Sequence, residues 1–363
     1  MLVGSHAFRQ MLQFAATARS ATKDSLSMSE AEANPRGSRR RPVVIDFHAH
    51  AANNEVNAAT YDLSVLGRLR ASGEGSAIHA MPEAHWKRMT DLPTRLADMD
   101  TMGVDIQVIS PNILHNCTYS LPVDEALRLE QIGNDHIAET VAKKPDRLVG
   151  IASVPLQSTE LAIKEMERAT GELGLKGLVI ASRAHETDLG DASLRPFWRR
   201  AEALGVPIFI HPAGNPDPRL RKHSMLISLG QPLEEAYAQC SLIYDGVMDE
   251  CPDLKIAFAH GGGFIPYYSG RFDWLYSRGT TKQIKGDISS YLRAFHYESV
   301  VFDPAVLERL ADKVSTSHIM LGTDYPFGEW KPVELIRNAR RILEAAREDM
   351  LGANAAKFLG IAL

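Results

Sequence analysis

Long apolar runs are missing from this 363-residue chain, and no stretch approaches the roughly 18 to 20 apolar residues that a membrane-spanning helix requires. No membrane partner is expected. A surplus of basic charge is missing too: 40 Lys and Arg face 45 Asp and Glu, so no positive field exists to gather nucleic acid or anionic lipid. No nucleic-acid partner is expected either. Cysteine is scarce. Cys117, Cys240 and Cys251 form no CxxC pair and, being three, cannot all be bridged, which fits reduced thiols in the cytoplasm. With 45% hydrophobic and 23% charged residues, disorder and a simple coiled coil are excluded, and a soluble globular protein is expected.

Residues 1–41 are polar towards their end, are punctuated by Pro35 and Gly37, and close on Arg39, Arg40 and Arg41, as a flexible extension would. The folded domain is expected over residues 42–363. From Pro42 onward, short β-branched runs alternate with segments of helical periodicity, the pattern of a parallel sheet covered by helices. Eight such runs are expected as strands: residues 43–48, 105–110, 148–153, 177–182, 206–211, 255–260, 299–303 and 318–323. Eight parallel strands close a barrel, so the fold class is α/β, a (β/α)8 arrangement. Ser158 and Ser193 are expected as helix N-caps and Gly205 as a helix stop. Residues 51–92 lack clear periodicity and are read as an insertion after the first strand, over one end of the barrel.

Chemistry-bearing residues fall at the C-terminal ends of these runs. His48 and His50 close the first, His211 the fifth and His260 the sixth, while Asp324 follows the eighth. In a parallel barrel that rim lines a single cavity. The two-residue spacing of His48 and His50 aims both imidazoles the same way. Imidazole nitrogens with a carboxylate suit a divalent ion, so His48, His50, His211 and Asp324 are the proposed ligands of one metal ion, Zn(II) first and Mn(II) second. His260 is then spare and can move a proton beside the metal, with Asp324 also part of the catalytic centre. Asp46 shares the strand face of His48 and is left out of the ligand set.

The segments IDFHAH, IFIHP, KIAFAHGGGFIPYYSGR, LGTDYPF and GANAAKFLG resemble the motifs of the amidohydrolase-related decarboxylases, a family typified by aminocarboxymuconate semialdehyde decarboxylase. The resemblance runs from about residue 43 to the C-terminal end. It implies a distorted TIM barrel with one metal ion, places the four ligands at the family's ligand positions, and puts His260 at its water-activating histidine. It further implies that Arg95 and Arg271 hold substrate carboxylates, with Arg271 reaching in from the neighbouring subunit of a homodimer, and that Phe327 walls the substrate. Three departures change the substrate rather than the metal site. Ala213 stands where the typical enzyme has Trp, Ala97 replaces a second arginine near Arg95, and residues 51–92 have no close counterpart.

The function this implies is metal-dependent, non-oxidative decarboxylation of an aromatic, enol or dienoic carboxylic acid. A metal-dependent hydrolase of an amide, lactone or ester is the chief alternative, since the same barrel serves both. The binuclear subtype of hydrolase is disfavoured because GLVIASRAH at the fourth strand carries no lysine. A dienoic-acid hydratase is a further enzymatic reading, and a silent binding protein that kept its pocket is the non-enzymatic one.

Overall fold

The computed structural model describes residues 41–72, 82–112, 118–281 and 283–363. A compact unit spans Pro42–Leu363. The extension expected over residues 1–41 lies, apart from Arg41, outside the described residues, as does Cys117. No helix among the described residues is long and apolar enough to cross a membrane.

Runs rich in Ile, Val and Phe form strands β1 (Ile45–Ala51), β2 (Ile106–Pro111), β3 (Leu148–Gly150) and β4 (Leu178–Ala181). A two-residue hairpin follows, β5 (Arg183–Ala184) with β6 (Thr187–Asp188), and then β7 (Ile208–His211), β8 (Ile256–Phe258), β9 (His296–Glu298) and β10 (Ile319–Met320). All pairings outside the hairpin are parallel. The strands assemble in the orders β1-β2-β3 and β10-β9-β8-β7-β4. Isolated parallel bridges between Ala152 and Leu178 and between Ala49 and Tyr325 join these two sheets at both seams. Hydrogen bonding therefore passes through eight parallel strands in a ring, the α/β barrel expected from the alternation. Phe47, Ile109, Val179, Ile210 and Phe258 are buried among the strands, which explains why strands covered on both faces read as continuous apolar runs.

Helices α1 (Asn54–Thr60), α2 (Val65–Ser72) and α3 (Glu83–Thr90) occupy the segment read as an insertion, and α4 (Leu92–Met102) leads to β2. Asp91 caps α4 by accepting from Thr94 N at 2.9 Å, and Gly103 ends it in the left-handed conformation. Further round the ring lie α5 (Val123–Lys143), α6 (Thr159–Gly171), α7 (Arg195–Leu204), α8 (Gln231–Tyr244), the one-turn α9 (Val247–Glu250) and α10 (Ile265–Ser277). Ser158 caps α6 and Gly205 stops α7, as expected. Ser193 is not a cap. Asp191 takes that role by accepting from Ser193 N at 2.8 Å, because its carboxylate reaches the first free N–H of a short 3-10 turn that precedes α7.

The seventh strand also lies earlier than expected. The pairing register runs through His296, Tyr297 and Glu298, whereas residues 299–303 leave the sheet and Phe302 adopts a φ of 57°. Two adjacent segments with similar β propensity cannot be told apart by periodicity alone.

At the N-terminal end of β9, His296 stacks on His318 with ring centroids 4.6 Å apart and packs on Phe358 at 4.7 Å. Burial, with His318, Lys357 and Lys255 adding to it, pushes His296 down to about 3. The unfolded chain holds this proton near the ordinary histidine value of ~6.5, so stability is fully present above that pH and is lost as pH falls from ~6.5 towards 3. The variant His296→Phe is expected to flatten the fall in Tm between pH 7 and pH 5 by a few degrees, as read by thermal melting. Parallel slopes in both proteins would show that His296 takes up its proton in the fold as readily as in the unfolded chain.

Candidate metal centre

The strand ends deliver the expected side chains to one place. Ala181 pairs with His211 across β4 and β7, β1 carries His48 and His50 on one face, and the loop after β10 returns Asp324. His48, His50 and His211 are buried and Asp324 nearly so. Their four ligand atoms lie within 4.8 Å of one another. His48 Nε2 is 3.2 Å from His50 Nε2 and 3.3 Å from Asp324 Oδ1, and His50 Nε2 is 2.9 Å from the same oxygen. Donors about 2.1 Å from a shared tetrahedral centre stand about 3.4 Å apart, so these spacings suit one ion.

The protonation pattern tests the fit independently. His211 Nδ1 lies 2.8 Å from the Pro212 carbonyl, which only accepts, so Nδ1 carries the proton and Nε2 is a bare lone pair. That Nε2 is buried without a hydrogen-bond partner. His48 Nδ1 faces Glu298 Oε1 at 3.3 Å, leaving its Nε2 to converge with the others. Burial, reinforced by neighbouring imidazoles and opposed by Asp324, holds His48 and His211 well below the ordinary histidine range. Burial works against ionisation of Asp324, but the imidazoles around it, His48 foremost, outweigh burial and keep the carboxyl well below its usual value. Neutral imidazoles beside an ionised carboxylate form the donor set of a divalent-metal site.

His260 stands beside this set. Its Nδ1 is 2.5 Å from Glu235 Oε1, and its Nε2 is 3.7 Å from Asp324 Oδ2. Burial opposes its charge, yet Glu235 and Asp324 outweigh burial and lift the imidazole well above the ordinary value. Burial lifts Glu235 to about 7, with His260 opposing. His260 takes a φ of 49° and Asp324 one of 55°, left-handed conformations that cost energy outside glycine and are held here by the surrounding contacts. Gly261, Gly262 and Gly263 follow with positive φ, and a Cβ on Gly262 would lie 2.5 Å from Tyr297 Cε1. This crowding explains the glycine run after His260.

Other residues brace the site. Asp46 accepts from His48 N, Thr323 N, Gln107 Nε2 and Thr323 Oγ1, tying β1 to β2 and to the β10 loop, and it lies outside the ligand cluster. Glu298 is buried and accepts from the backbone N–H groups of His260 and Val300 while facing His48. Burial raises it to about 8. Glu234 accepts from Ser182 Oγ, Ala213 N and Gly214 N, setting the loop after His211. The sequence reading did not single out Glu298, Glu235 or Glu234. Adjacent glutamates among the Ala, Cys, Leu and Ile of α8, and an acidic residue inside the apolar β9 region, were the available signals.

Phe327 is half-buried, with its ring 5.9 Å from His50 and 5.3 Å from His85. Arg95 is only 2% exposed. Its Nη1 donates to Gln107 Oε1 at 2.7 Å, its Nη2 donates to the His50 carbonyl at 2.6 Å, and its guanidinium lies over Tyr325. Arg95 therefore grips the strand that carries His48 and His50. Arg271 lies on α10, exposed and not a member of the cluster, with no ion-pair partner among the described residues.

Comparison with known proteins agrees with this geometry. The chain is 37% identical over 279 residues to the 2-amino-3-carboxymuconate-6-semialdehyde decarboxylase of Dictyostelium discoideum, covering 75% of this chain and 77% of that one. The crystal structure of 5-carboxyvanillate decarboxylase from Sphingomonas paucimobilis matches with a TM-score of 0.78 at 28% identity, covering 88% of this chain and 99% of that one. A dihydroxybenzoic acid decarboxylase from Polaromonas, solved with bound manganese and the inhibitor 2-nitroresorcinol, matches with a TM-score of 0.75 at 26% identity, covering 88% and 97%. With residues 45–361 matching the amidohydrolase family model and a histidine and aspartate cluster at the barrel's C-terminal rim, the chain belongs to the amidohydrolase family.

Proposed function

We infer that this protein is a metal-dependent, non-oxidative decarboxylase of a small aromatic, enol or dienoic carboxylic acid. The observation that carries this reading is the orphaned His211 Nε2 converging with His48, His50 and Asp324 beside the His260–Glu235 pair. The decarboxylase names of its relatives support it. His48, His50, His211 and Asp324 would hold one divalent ion, with Zn(II) favoured by the histidine-rich set and Mn(II) by the Polaromonas neighbour. When bound, the ion supplies Lewis-acid stabilisation of negative charge developing on the substrate.

The chain's own residues do the rest. Phe327 offers an aromatic wall beside His50 against which a planar acid can lie. His260, gripped at Nδ1 by Glu235, presents Nε2 as the proton donor. The bond between the substrate carbon and its carboxylate breaks, the electron pair stays on that carbon, His260 delivers the proton that replaces the carboxylate, and CO2 leaves. Arg95 holds the His50 backbone in place, which makes it a positioning residue beneath the site. The unpaired thiols Cys240 and Cys251 favour a cytoplasmic setting.

Metal-replete protein is expected to release CO2 from at least one hydroxylated aromatic or dienoic acid, and a chelator should abolish the release. Silence across such a panel, together with cleavage of a lactone or amide, would transfer the reading to the hydrolase.

A homodimer belongs to the same proposal. Tyr268 and Trp274 on α10 are each more than half exposed, as is Tyr237 on α8, and Arg271 lies between the first two in sequence. Exposed aromatics of this size suit burial against a second copy, which would bring Arg271 to the partner's substrate carboxylate. Specific activity is then expected to fall on dilution below the dimer constant, and a fully active monomer by mass analysis would remove the shared site.

A further inference from the structure

Helix α3 belongs to the segment read as an insertion after the first strand, and it is fastened to the surroundings of the candidate metal centre on three sides. Met89 O accepts from Ala52 N at 3.2 Å, two residues beyond the ligand His50. Arg88 Nε donates to Asp98 Oδ2 on α4 at 2.9 Å, and the same guanidinium lies 5.0 Å over the Trp330 ring. Asn112 Nδ2, just past β2, meets Met89 Sδ at 3.3 Å. A helix anchored this way presents its remaining side chains rigidly.

His85 lies one turn before Arg88 and Met89. Its ring meets Phe327 edge-on, with centroids 5.3 Å apart and planes at 84°, and Phe327 in turn lies 5.9 Å from His50. Phe327 therefore links His85 to His50 by ring contact. His85 is half-buried, and among the described residues its ring nitrogens have no hydrogen-bond partner. Burial, with Arg88 adding to it, lowers its pKa, so the ring is neutral at pH 7. A neutral imidazole offers one donor and one acceptor, which matches a hydroxyl group better than a second carboxylate.

We propose that His85 is a specificity-determining residue that hydrogen-bonds a hydroxyl substituent on the acid, on the side of Phe327 away from the metal ligands. This rests on the decarboxylase reading for the identity of the ligand. A site built to bond a hydroxyl discriminates against the analogue without it, because its polar group is then left unpaired.

The test compares wild type with His85→Phe and His85→Gln, all metal-loaded, on a hydroxybenzoic acid and on its analogue lacking the hydroxyl. Binding is measured by calorimetry and turnover by CO2 release. The expected result for His85→Phe is that affinity for the hydroxylated acid falls about 10-fold more than affinity for the analogue. In turnover that selective loss appears in KM rather than kcat, metal content stays at one per chain, and His85→Gln recovers part of the preference. Equal losses on both acids would reduce His85 to wall packing, and unchanged preference would remove it from the pocket. The calorimetric arm stands apart from catalysis. Selective binding without CO2 release would keep His85 and overturn the decarboxylase, whereas release with unchanged selectivity would do the reverse.

Discussion

His211→Ala is expected to purify without a stoichiometric metal ion and without turnover. Among the four proposed ligands, His211 is the one whose role can be read most directly, because its Nδ1 proton is committed to the Pro212 carbonyl and its Nε2 is buried with nothing to bond. Loss of a mere outer partner of a metal ligand costs about 10–100-fold in affinity, and loss of the ligand itself exceeds that. The effect has a second signature in stability. A ligand at 100 times its Kd stabilises the folded state by about 2.7 kcal/mol, so wild-type protein should melt higher with metal than with chelator while the variant melts alike in both. Elemental analysis together with paired melting curves provides the check. One tightly held metal per variant chain would show that the ion sits elsewhere.

The clustering of His48, His50, His211 and Asp324 was legible in the sequence because strand ends are. A parallel barrel sends every strand's C-terminal end to one rim, so four histidines and an aspartate at the ends of β-like runs meet whatever the details of packing. Glu235 was not legible in that way. It acts from the interior of α8, where helical periodicity predicts burial and says nothing of which barrel strand end the carboxylate will touch. Glu298 was hidden by the misplaced seventh strand, since taking residues 299–303 as the strand leaves it outside the barrel. Arg95 illustrates the opposite limit. The family resemblance implies a substrate contact, while its two donor contacts are with Gln107 and the His50 carbonyl, which spacing along α4 could not foretell. His85 lay in a segment without periodicity, and only the fastening of α3 to Ala52, Asp98 and Trp330 brings it to Phe327.

Removing His260 is expected to separate metal binding from chemistry. His260 is outside the four-ligand set, so His260→Ala should retain one metal per chain while kcat falls by about 10²–10⁴-fold, the range that a positioned proton donor contributes. Two features of the site complicate that single substitution. The residue has a φ of 49°, and Glu235 would lose the imidazole that now shares its buried charge. His260→Asn addresses the first, because Asn tolerates the left-handed conformation better than Ala does, and its amide can still face Glu235. If both variants melt near wild type, hold metal and lose turnover together, the loss belongs to proton transfer. Glu235→Gln should then give a smaller loss, since a neutral amide can orient Nδ1 but cannot stabilise the imidazolium that Nε2 chemistry requires. Turnover of His260→Asn within about threefold of wild type would take His260 out of the reaction and leave Asp324, at 3.7 Å from its Nε2, as the group to examine for the proton.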